Sequence, residues 1–187
     1  MDRTELAWAA GFFDAEGWAA AVKSRRRRRP FAQINQADAD GVPEVLTRFR
    51  NAVGVGRVRG PKREDGKVDL YHWVASSRSD VARTFEALSP WLGPVKRAQV
   101  DAAVGTSATS AHIPSSDEEL AWAAGLFDGD GSTCLLWHRT HPGYRTCEMS
   151  ITQTSRTGVP EVLTRFRRVV GLGHLNGPSG GTEKWGP

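Results

Sequence analysis

The chain has 187 residues, 39% hydrophobic and 25% charged, which allows one substantial core or two small ones. No apolar run approaches the roughly 20 residues that span a bilayer, so this composition points away from a membrane. The formal charge of +4 hides an imbalance: residues 1–114 carry 18 Lys and Arg against 13 Asp and Glu, whereas residues 115–187 carry 7 against 8. Twenty of the 25 basic residues are Arg, whose planar fork suits phosphate. Cys134 and Cys147 lie in one half without metal-site spacing. The opening Asp2, Arg3, Thr4 and Glu5 begin no signal-peptide core, and a reduced, cytoplasmic setting is the expectation.

In chain order, Asp2 caps a first helix, with Glu5 placed for a capping box, and Gly17 ends it. A strand is predicted over residues 18–23, then a loop of Ser24, Arg25, Arg26, Arg27, Arg28 and Arg29. Pro30 opens a second strand, residues 31–36. Pro43 begins a helix reaching about Asn51, with Val45, Leu46 and Phe49 on its apolar face. Gly54 and Gly56 precede a short strand from Arg57 to Arg59, and another strand covers residues 68–75. A helix starts near Ser79, Pro90 and Pro94 interrupt the chain, and a last helical stretch spans residues 96–103. The order is α-β-β-α-β-β-α. Residues 104–116, Gly-, Ser-, Thr- and Ala-rich, read as a linker.

The unit then begins again. Residues 6–17, LAWAAGFFDAEG, return as residues 120–131, LAWAAGLFDGDG, at an offset of 114. The decapeptide of residues 41–50, GVPEVLTRFR, recurs unchanged at residues 158–167, at an offset of 117. The second copy predicts a capping box at Ser116 and Glu119, and strands over residues 132–139 and 144–153. Its sequence corresponds only as far as Leu70 of the first. The expected domains are therefore 1–103, the linker 104–116, and 117–187 as a short second repeat that exposes a sheet edge. A monomer is the expectation, with dimerisation as the route by which such a half would be completed.

Ala7, Ala10, Gly11 and Asp14 recur at helical spacing, as do Ala121, Ala124, Gly125 and Asp128. Small residues let two backbones approach closely, and such a stripe alone means only a packed helix pair. The ends carry the chemistry. Glu16 and Asp130, the second acids of each copy, would meet at the end of an apolar seam, where carboxylates are costly unless paired or bound to metal. Mg²⁺, with Mn²⁺ as substitute, takes hard oxygen ligands and can polarise a phosphoryl oxygen and acidify an attacking water. Asp14 and Asp128 are expected to bond turn amides. A calcium loop at Asp128 is excluded, because its sixth and twelfth positions are Thr133 and Arg139.

Residues 9–17 and 123–131 resemble the nine-residue signature of the LAGLIDADG homing endonucleases, and the resemblance continues through the element order. It implies a duplicated, pseudo-twofold α+β fold with the motif helices at the interface and saddle-shaped antiparallel sheets over double-stranded DNA. It further implies that Glu16 and Asp130 bind the catalytic metal. Gln36 and Gln153 match a polar position that organises active-site water, and Lys96 matches a lysine that stabilises transition-state charge, with Arg97 as the alternative. The implied activity is site-specific, metal-dependent cutting of both strands of a long pseudo-palindromic site. The rival reading is a LAGLIDADG-derived regulator or maturase that binds DNA or RNA without cutting. Alternation nominates Lys23, Gln33, Asn35, Arg57, Arg59, Arg139, Arg145 and Ser150 as base-reading positions, and the arginines 25–29 as phosphate contacts. Trp8, Trp122, Phe49 and Phe166 are expected in the core.

Overall fold

The structure is a computed structural model that describes residues 2–24, 27–63, 65–105, 112–137, 143–155 and 158–177. Arg25, Arg26, Arg139, His138 and His141 therefore lie outside the described residues.

The first repeat contains α1 (Arg3–Glu16), β1 (Gly17–Ser24), β2 (Arg27–Ala37), α2 (Glu44–Val53), β3 (Arg57–Lys62), β4 (Leu70–Ala75), α3 (Arg78–Leu88) and α4 (Pro94–Val104). The second contains α5 (Ser116–Asp130), β5 (Gly131–Trp137), β6 (Arg145–Ile151) and α6 (Glu161–Val170). The first repeat thus closes with two helices, because Pro94 starts a fresh helix at a first-turn position where its missing N–H costs nothing. No described helix is long and apolar enough to cross a membrane.

Strands β1 to β4 form one antiparallel sheet in the order β1-β2-β4-β3, while β5 and β6 form a separate antiparallel hairpin. On the sheet's inner face Ala32, Ile34, Trp73 and Ala75 are buried beneath α2 and α3, together with Leu46, Phe49, Val81, Phe85 and Leu88. Each large side chain so buried stabilises the fold by roughly 1.5–3 kcal/mol. Three aromatics knit this layer, with Phe49 packed edge-on to Trp73 and stacked near Phe13.

Local signals shifted in three places. The second capping box is Ser115 with Glu118, one residue before the expected Ser116 and Glu119, because both the side-chain and main-chain halves of the box close there. Asp2 caps α1 by accepting from Thr4, but Glu5 leaves the cap and forms an ion pair with Arg48. Arg27, Arg28 and Arg29 belong to β2 and not to a loop, with Ser24 paired to Arg27.

Helices α1 and α5 cross through their small residues. A β-carbon on Gly11 would lie 1.9 Å from the Trp122 carbonyl oxygen, and one on Gly125 would lie 1.9 Å from that of Trp8. The reciprocal geometry defines a pseudo-twofold axis between the repeats. One step toward the helix ends the symmetry is broken. A β-carbon on Gly129 would come within 2.4 Å of the Ala15 methyl, so this crossing admits one methyl and not two.

Candidate active site and nucleic-acid interface

The same axis organises the polar groups around the helix pair, buried at Asp14 and Arg165 and partly exposed at Asp128 and Arg48. The Trp8 indole donates to Asp128 at 2.7 Å, and the Trp122 indole donates to Asp14 at 2.9 Å. Arg48 lies over the Trp8 ring and pairs with Glu5, while Arg165 lies over the Trp122 ring and pairs with Glu119, each guanidinium 3.8 Å from its ring centre. Two indole-to-carboxylate bonds thus bolt each repeat to the other. Trp8 and Trp122 are core residues as expected, but they also bond across the axis. Identical Trp, Asp, Glu and Arg positions in both copies were the available signal.

Asp14 has an extra partner. The Gly93 amide, just before α4, donates to both of its oxygens at 3.0 and 2.8 Å. The expected turn-amide role holds for Asp14, although the turn lies 79 residues away. Asp128 takes an indole and the fringe of Arg48 instead. Burial pushes the Asp14 carboxyl up to about 6 against the lowering effect of its Trp122 and Gly93 bonds.

Beyond these bolts, Glu16 and Asp130 end their helices side by side. Burial raises the pKa of Glu16, and the neighbouring charge of Asp130 raises it further; a bond from Gln36 and the charge of Lys96 oppose this. Burial likewise raises Asp130 against Lys96 and Gln153. Gln153 donates to Asp130 Oδ2 from just past the end of β6. Lys96, in the first turn of α4, donates to the Gly17 carbonyl. Burial lowers the Lys96 ammonium, and the charges of Asp14, Asp130 and Glu16 counter that effect. Arg97 points elsewhere, to the Ser89 and Leu92 carbonyls. Five residues from five segments therefore share one locus: Glu16, Gln36, Lys96, Asp130 and Gln153.

This donor set fits a hard divalent cation. Two half-buried like charges favour a shared counter-ion, and all four carboxylate oxygens are hard donors. No cluster of three or more His, Cys, Asp or Glu occurs among the described residues. A bound ion would complete its shell with water and phosphate.

The outer sheet face leads away from this locus. Strand pairing aligns Trp18, Gln33, Val74 and Arg57 in one row, and Asn35, His72 and Arg59 in the next. Gln33 donates to Asn35 along β2. Arg27 and Arg29 alternate onto the same face. Ser150 lies on the matching face of the second hairpin, with its hydroxyl 2.9 Å from that of Ser132.

Lys23 and Arg145 do not belong to this surface. Lys23 pairs with Arg28 and alternates with Ala21 and Ala19, on the face that packs on the helices. Arg145 pairs with Trp137 and lies over its ring, on the face opposite Ser150. Both are exposed because the hairpins run past the core, where alternation no longer separates buried from solvated positions. Arg28 faces backward too, donating to the Ala21 carbonyl. Sequence reasoning missed Trp18 and His72 as outer-face residues; their places follow only from strand register.

No family model matches the chain, and no curated protein matches it in sequence. Solved structures do match. A single-residue variant of I-SmaMI superposes with a TM-score of 0.58 at 16% identity, covering 92% of this chain and 75% of that one. I-SmaMI bound to uncleaved DNA target with calcium ions gives 0.55 at 16% identity over the same shares. The LAGLIDADG meganuclease I-AabMI bound to uncleaved DNA gives 0.52 at 16% identity, covering 80% of this chain and 65% of that one. The α+β fold with antiparallel sheets described above is that of the LAGLIDADG homing endonucleases.

Proposed function

We propose that the protein is a site-specific, divalent-metal-dependent DNA endonuclease that cuts both strands of a long, imperfectly palindromic site. The observation that carries this reading is the meeting of Glu16 and Asp130, one from each repeat, at the end of a closely packed helix pair.

Glu16 and Asp130 would hold Mg²⁺ or Mn²⁺. The ion would supply Lewis-acid charge to a phosphoryl oxygen and acidify a water molecule. Gln36 and Gln153 fix the orientation of the carboxylates, each from the second hairpin strand of its own repeat or just beyond it. The Lys96 ammonium adds a positive charge beside the scissile position, where negative charge builds on the phosphoryl oxygens. The Glu–Asp inequality makes the two half-reactions unequal.

The test is a cleavage assay on plasmid libraries with Mg²⁺. Combining Glu16→Gln with Asp130→Asn abolishes cutting while leaving DNA affinity in place. Persistent cutting by the double variant overturns the assignment. A second reading, DNA binding without cutting, is favoured by the one-sided placement of Lys96: among the described residues of the second repeat, none matches it. Calorimetric titration with Mn²⁺ separates the two, since a binder that does not cut has no need of the ion.

A further inference from the structure

The outer face of the first hairpin carries an apolar patch amid its polar and basic residues. Trp18 is 47% exposed, although it follows directly on Glu16 and Gly17. Its ring meets Phe31 edge-on at 5.8 Å between centres. Ala20 pairs with Phe31 and Val22 with Arg29, while Val74 lies two strands across from Trp18 in the same row. A contiguous apolar patch rimmed by polar residues marks an interaction surface. Arg29, Gln33, Asn35 and Arg57 surround it, and this charge and amide pattern suits duplex DNA.

We infer that this patch reads thymine 5-methyl groups in the major groove, in the central part of the half-site held by the first repeat. The inference rests on the DNA-binding reading above. The thymine methyl is the one apolar group that the major groove presents, and apolar side chains select it by contact. Gln33 and Asn35 beside the patch match adenine, whose N6 amino group donates to the side-chain amide oxygen while its N7 accepts from the amide nitrogen. An A·T-rich inner half-site follows on this side. The second repeat places Ser132 at the Trp18 position and Ser150 at the Gln33 position, so its half-site lacks the preference.

The experiment selects bound duplexes from a random library, then resynthesises the winner with deoxyuridine at each thymine in turn. Removing one methyl from the inner positions of the first half-site lowers affinity about fourfold, the re-exposure of roughly one methylene equivalent. The same change in the second half-site has no effect. Trp18→Ser, which installs the second repeat's residue at an exposed position, binds the thymine and uracil duplexes equally. Phe31→Leu, which keeps apolar volume, retains part of the discrimination. Equal affinity of the native protein for thymine and uracil duplexes at every position overturns the inference alone. Failure to retain any duplex DNA overturns the DNA-binding reading as well.

Discussion

One carbon added at Gly11 would sit inside the van der Waals shell of the Trp122 carbonyl, and a backbone oxygen cannot swing aside as a side chain can. Gly11→Ala and Gly125→Ala should each cost more than about 3 kcal/mol in chemical denaturation, at the severe end of overpacking. Their combination should cost less than the sum, because either methyl alone already parts the helices. Glu118 makes a different prediction. It accepts from Arg3, and it also bonds His112, the Trp91 indole and the Ser115 amide. The Arg3 guanidinium above all holds its carboxyl at about 2, below the ordinary 4.5. A lowered folded-state value means stability that is full above pH 4.5 and disappears as pH falls through 2. Thermal melts of Glu118→Gln should therefore fall less steeply than the native protein's across that window. Such partners join residues 115 positions apart, so nothing in the local sequence announces them.

At the scale of elements, periodicity located nearly every helix and strand, because α2 and β4 each bury one clear side. It failed where burial stops. The arginine run gives no alternation between apolar and polar residues, and β2 begins within it unseen. Two serines followed by two glutamates offered α5 two overlapping caps, and tertiary bonds to Glu118 decided between them. Glu16 and Asp130 were legible for a different reason: each motif helix ends on an acid before its closing glycine, and symmetry brings equivalent ends together, whereas Gln36, Gln153 and Lys96 came from the family resemblance alone. Strand register now divides the hairpin arginines. Replacing Arg27 and Arg29 with Ser should reduce the slope of log affinity against log salt by about 2, at roughly 0.9 per phosphate contact. Arg28→Ser, on the reverse face, should leave the slope unchanged.

The whole molecule is lopsided. Among the described residues, the outer face of the first sheet holds Arg27, Arg29, Arg57 and Arg59, whereas that of β5 and β6 holds no cation and one acid, Glu148. Affinity should concentrate in the first half-site, and a duplex carrying that half alone should compete nearly as well at low salt as the full site. Stability is lopsided too. The reverse face of the second hairpin leaves Leu135 59%, Trp137 63% and Met149 64% exposed, where the first sheet is sealed by α2 and α3. Amide hydrogens of β5 and β6 should exchange much faster than those of β2 and β4 in native-state hydrogen exchange. Rapid exchange in both sheets, or protection in both, would contradict this division.

The contact between Ala15 and Gly129 has a consequence for ancestry and engineering alike. Two copies of the leading half would press methyl against methyl beside the paired acids, and two copies of the trailing half would leave a hollow there. Each half has become the mould of its sister. Symmetric homodimers built from either one should cross their helices differently from the fused chain, and so set their acids at a different separation.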